Sequence, residues 1–135
     1  MGDGDDYLDE AFVDELVSAC RTTVGDSLRS VTYFDTTREQ QVYLREDLEP
    51  GANIVGFANN ERSGFRSQRI YEDSELGDYR FTLRAFEHGY LTRVVRGYHG
   101  AFVTTDRLQT ERFEDLASAV DGVLAEYDTA WLGPE

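Results

Sequence analysis

Lysine is missing from this sequence: all 13 basic residues are arginine, set against 27 aspartates and glutamates, for a formal net charge of -14 in 135 residues. With 13 cations against 27 acids the chain as a whole is poorly suited to holding a phosphate backbone, so free nucleic acid is not an expected partner. An anionic membrane surface is excluded on the same ground. Without lysine there can be no G-x-x-x-x-G-K-[ST] loop, and neither a G-x-G-x-x-G fingerprint nor a serine nucleophile elbow is present. One cysteine, Cys20, rules out an internal disulfide. It lies in an amphipathic pattern, where a lone thiol is a small buried hydrophobe. Only two histidines occur, His88 and His99, and no Cys or His pair has metal-ligand spacing. No apolar run approaches the roughly 18 residues a membrane helix needs. The opening Met-Gly-Asp-Gly-Asp-Asp has neither the positive start nor the apolar stretch of a signal peptide, so a cytoplasmic location is expected.

What is present argues for a packed core. Hydrophobic residues make up 40% of the chain and aromatics 13%, more than a disordered acidic tail carries. Carboxylates hold water and cations, whereas the long apolar stem of lysine favours salting-out. Acidic excess with arginine as the only cation is therefore the composition expected of a halophilic protein in a salt-rich interior, with solvent cations at its surface. In molar salt the Debye length is about 3 Å, which screens the self-repulsion of such a surface.

The chain reads as one α+β domain over 8–131, flanked by a flexible acidic tail at 1–7 and a short tail at 132–135. From Leu8 to Val24, Phe12, Leu16, Ala19 and Thr23 form one helical line, with Val13, Val17, Cys20 and Val24 beside it. Gly25 is a plausible stop. Val31–Phe34 and Gln41–Arg45 are rich in β-formers, and Asp35–Glu39 between them reads as a hairpin turn. Residues 52–76 carry a weaker helical pattern, interrupted at Asn59-Asn60 and Ser63-Gly64, and read as one helix or two short ones. Tyr79–Glu87, Tyr90–Arg96 and Ala101–Thr105 form a meander, with turns expected at His88-Gly89 and Gly97–Gly100. Thr110 can cap a closing helix to about Tyr127, with its stripe on Phe113, Leu116, Ala117, Val120, Val123, Leu124 and Tyr127, and Trp131 is expected to fold back against the body. The order is α-ββ-α-βββ-α, a single five-stranded antiparallel sheet covered by helices.

That order resembles the roadblock (dynein light chain-like) family, and less closely the profilin-like and PAS-like domains. Locally, Val31-Thr-Tyr-Phe-Asp and Gln41-Val-Tyr-Leu-Arg-Glu-Asp-Leu48 resemble small haloarchaeal proteins of a family of unknown function, which implies a haloarchaeal source but no activity.

One electrostatic feature calls for an explanation. Residues 1–20 hold seven acids and no base, whereas 79–105 hold Arg80, Arg84, Arg93 and Arg96 against Glu87 alone. A two-residue turn at His88-Gly89 would set Arg84 opposite Arg93, Phe86 opposite Leu91 and Thr82 opposite Val95. Opposed like charges require a carboxylate, a partner's acid or an anion between them. Arg80, Arg84, Phe86, Leu91, Arg93 and Val95 are thus the candidate interface, a mixture of aromatic, aliphatic and arginine side chains. The plainer explanation is that the acidic first or last helix covers this face and supplies ion pairs. Both histidines read as solvated turn residues. With no catalytic constellation and no cofactor motif, the expected function is a non-enzymatic protein-protein interaction or regulatory module, as a homodimer or with another protein. The alternative is a PAS-like sensor holding a small molecule among its surplus aromatics.

Overall fold

The computed structural model describes residues 8–48, 54–67, 74–77, 79–107 and 110–132. The elements are α1 (Glu10–Val24), a 3-10 turn (Gly25–Ser27), β1 (Leu28–Asp35), β2 (Glu39–Leu44), α2 (Ile54–Ser67), β3 (Thr82–Phe86), β4 (Gly89–Arg96), β5 (His99–Thr105) and α3 (Thr110–Leu132). The five strands form one antiparallel sheet in the order β2-β1-β5-β4-β3. Residues 1–7 and 133–135, and the packing of Trp131, lie outside what is described; residue 132, read from the sequence as tail, ends α3.

Both faces of the sheet are covered, and the burial of its central strands follows from that. On one face α1 and α3 pack together, burying Phe12, Leu16, Cys20 and Val24 with Leu116, Val120 and Leu124 against Val31, Val94, Ala101 and Val103. The i, i+4 line of α1 that is buried mixes the two lines read from the sequence. On the other face α2 seats Ala58 over Phe34, Leu91, Val95 and Phe102. Period-2 alternation sends Val31 and Tyr33 to the first core and Phe34 to the second, so β1 is buried almost end to end.

Local chemistry sets the ends of the elements. Gly25 closes α1 at φ 58° and donates its N–H to Arg21 O, the left-handed position glycine adopts without strain. Asp35 accepts the backbone N–H groups of Thr37 and Arg38, forming the β1–β2 turn. Within its described residues α2 is continuous, because Ser63-Gly64 does not interrupt it. The β3–β4 turn is Glu87-His88 rather than His88-Gly89. Gly89 has no positive φ and is a strand residue. It is needed there because a Cβ would collide with the carbonyl of Thr105 on the neighbouring strand. Among the described residues no helix is long and apolar enough to cross a membrane.

Candidate functional site

The site is built on the β3–β4 hairpin. With the turn at Glu87-His88, Thr82 pairs with Arg93, Arg84 with Leu91 and Phe86 with Gly89. The pairs expected from the sequence are thus displaced by two residues. A two-residue slip preserves parity, so Arg84 and Arg93 still share a face, but they stand diagonally rather than opposed.

Between them lies one carboxylate, Glu61 of α2. Arg84 donates to it as a fork, Nε to Oε2 at 2.8 Å and Nη2 to Oε1 at 3.1 Å. This holds the Arg84 guanidinium above its ordinary pKa. Arg93 Nε sits 3.2 Å from Glu61 Oε1, an ion-pair distance without the alignment of a hydrogen bond. Its Nη2 donates to the backbone oxygen of Glu61 at 3.2 Å and its Nη1 to Tyr79 Oη at 2.8 Å. The Glu61 and Arg93 side chains are only 2% and 4% exposed, whereas Arg84 is 41% exposed. Two guanidiniums share one carboxylate, so the cluster carries one positive charge in excess.

Gly64 makes this geometry possible. A Cβ at that position would stand 2.5 Å from Arg93 Nη2 and 2.8 Å from its Cζ. The missing side chain lets the guanidinium slide beneath the helix. The compensating acid therefore comes from the middle helix, α2, and not from the first or last helix as expected. Glu61 was not singled out in the sequence because it is one of 27 acids in a weakly patterned segment. The available signal was Ala58, Glu61 and Gly64 at three-residue steps.

The other two arginines of the meander pair with α3: Arg80 with Glu114 at 3.6 Å and Arg96 with Asp121 at 3.2 Å. Of the six candidate interface residues, Leu91, Arg93 and Val95 lie beneath α2, inside the protomer. Arg80, Arg84 and Phe86 reach the surface, with Phe86 54% exposed. Leu83, not among the candidate interface residues, is 41% exposed on the same edge strand. His88 is exposed in its turn, 3.9 Å from Glu87. His99 is not a solvated turn residue: it begins β5, is buried, and its Nδ1 lies 2.8 Å from Tyr33 Oη. Because the preceding loop is only Gly97-Tyr98, the ladder starts earlier than the sequence implied. Among the described residues no group of three or more His, Cys, Asp or Glu could hold a metal ion. A cavity of about 470 Å³ opens on the α2 face between the hairpin tip and β2.

A model described as a domain of unknown function, DUF7522, matches residues 14–125. The chain belongs to that family. No curated protein matches it. Among solved structures, Myxococcus xanthus MglB aligns with TM-score 0.61 at 12% identity, over 92% of this chain and 95% of its own. A Roadblock/LC7 domain from Streptomyces avermitilis gives 0.58 at 14% identity, over 85% and 96%. The gliding protein MglB from Thermus thermophilus gives 0.57 at 12% identity, over 88% and 95%. At these identities the likeness establishes the fold. This DUF7522 protein has the roadblock/LC7 fold, and the α+β reading from element order stands.

Proposed function

We propose that this DUF7522 protein is a non-enzymatic interaction or regulatory module that works as a homodimer joined along β3, in a salt-rich cytoplasm. The observation that carries this is the edge itself. Strand β3 is terminal in the sheet and presents Leu83 and Phe86 to solvent, 41% and 54% exposed. An edge strand bearing exposed hydrophobics, with its outer row of backbone N–H and C=O groups unpaired in the sheet, is a template for pairing with another strand. The other edge, β2, runs Glu39-Gln-Gln-Val-Tyr-Leu44 and exposes no large hydrophobic. Antiparallel pairing of β3 with itself is isologous, the symmetry of a two-fold dimer. Arg80 and the exposed part of Arg84 would lie at the rim, with Leu91, Arg93 and Val95 supporting them from below.

An MglB with tetrameric arrangement among the structural neighbours, TM-score 0.53 at 12% identity, is consistent with such a role. The test is sedimentation equilibrium in molar KCl, with circular dichroism to check the fold. The intact chain is expected at dimer mass, and Leu83→Asp with Phe86→Asp at monomer mass with its fold retained. A folded double variant of unchanged mass would remove β3 as the interface.

A further inference from the structure

The 470 Å³ cavity is a separate feature from the β3 edge, although Phe86 borders both. Its floor is unusual for the middle of a covered sheet. Where the α2 face elsewhere carries Phe34, Leu91 and Val95, the cavity end carries Ser30 and Thr32 of β1 and Thr104 of β5. Ser30 and Thr104 hydroxyls hydrogen-bond one another. That bond uses one of their two protons and leaves the pair able to donate once more and to accept. Thr32 is buried, and its hydroxyl has no hydrogen-bond partner among the described residues. Buried hydroxyls in a sheet core cost stability unless something pairs with them.

The walls are of the opposite character. Phe57, Phe86, Phe102 and Leu44 enclose the hydroxyl floor with aromatic and aliphatic surface. The lining cation, Arg29, is already paired with Asp106 at 3.1 Å. Apolar walls, a few converging polar groups and a volume between about 300 and 1,000 Å³ are the attributes of a small-molecule site.

We propose that this cavity binds an uncharged, planar, amphipathic small molecule, with its ring system against the Phe57, Phe86 and Phe102 side chains and a carbonyl or hydroxyl on the Ser30–Thr104 pair. The pairing of Arg29 disfavours an anion. The hydroxyl floor disfavours a purely apolar occupant such as the helix of a second copy.

Coumarin, a planar bicycle with one carbonyl, is a suitable probe, titrated against the full chain in molar KCl and followed by amide chemical shifts. Saturable shifts centred on Ser30, Thr104 and Phe57 are expected. Thr104→Val, which keeps the shape and removes the hydroxyl, should weaken binding about fivefold, the worth of one net hydrogen bond. Leu44→Trp should fill the cavity and abolish binding. Should Leu44→Trp fail to fold, the Thr104→Val affinity still decides. The proposal is overturned if coumarin gives no saturable shift, if the shifts map elsewhere, or if Thr104→Val binds as tightly as the parent.

Discussion

Substituting Glu61 by Gln tests the account of the α2–sheet contact. The change preserves shape and removes one charge. Arg84, 41% exposed, can return its guanidinium to water at little cost. Arg93 cannot, being 4% exposed with Gly64 directly above it. It would keep its bonds to Tyr79 Oη and the Glu61 backbone oxygen but lose its counter-charge. Removing one partner of a buried pair costs about 3–5 kcal/mol, because the remaining charge is uncompensated. Domains of this kind have about 5–15 kcal/mol in total, so a large share of the stability is at stake. Urea unfolding in molar KCl should show the midpoint fall with an unchanged slope. Salt will not rescue it, since buried pairs are screened far less than surface ones. Replacing the pair together, Glu61→Leu with Arg93→Met, should cost less than the sum of its two single changes. A Glu61→Gln loss below about 1 kcal/mol, or strict additivity in the double variant, would refute the reasoning.

Three further outcomes follow from the surface and the core. Thermal midpoints should rise from dilute to molar KCl, because a net charge of -14 repels itself when unscreened; a flat or falling midpoint contradicts salt adaptation. Burial pushes the Cys20 thiol up to about 12, so a thiol reagent should label it only on unfolding, and Cys20→Ser should lower stability; rapid labelling of the native chain would refute its core placement. A hydrogen bond with Glu126, then desolvation, raises the Glu15 carboxyl where α1 meets α3. A raised folded-state pKa gives stability that is full below the ordinary carboxylate range and is lost as pH rises through the raised value. Glu126→Gln should therefore melt higher than the parent at about pH 7 and lose that advantage at about pH 4; an equal gap at both would contradict the pairing.

The helices against the first core were legible because their periodicity is strong: α3 buries Phe113, Leu116, Ala117, Val120, Val123 and Leu124 of the stripe read from spacing, and Tyr127, its last member, is partly buried against the same core. The strands were legible from their β-formers, and their order led to the roadblock topology. The register of the β3–β4 hairpin was not, because Gly89 resembles a turn glycine and its actual role, giving room to the Thr105 carbonyl, depends on a neighbouring strand that local pattern does not reveal. For the same reason the acid between Arg84 and Arg93 could be anticipated as a type but not as Glu61. A carboxylate's burial is set by what the fold lays over it, and in a chain this acidic local pattern does not mark the buried one. The exposure of Leu83 was not legible, because alternation puts it on one side of the strand with Tyr79, Phe81 and Ala85, and only its place on the outermost strand leaves it exposed.

The most direct test of the central claim is a distance across the proposed dimer. Ala85 is exposed on β3, so a spin label on Ala85→Cys in a Cys20→Ala background reports the strand without entering the core. Strand β3 has five residues, about 17 Å of chain, so any antiparallel pairing of two copies brings the labels within about 25 Å. Double electron–electron resonance in molar KCl should give one narrow distribution in that range, lost on Phe86→Asp. A distribution centred well beyond that range, or none above background, would contradict self-association through β3.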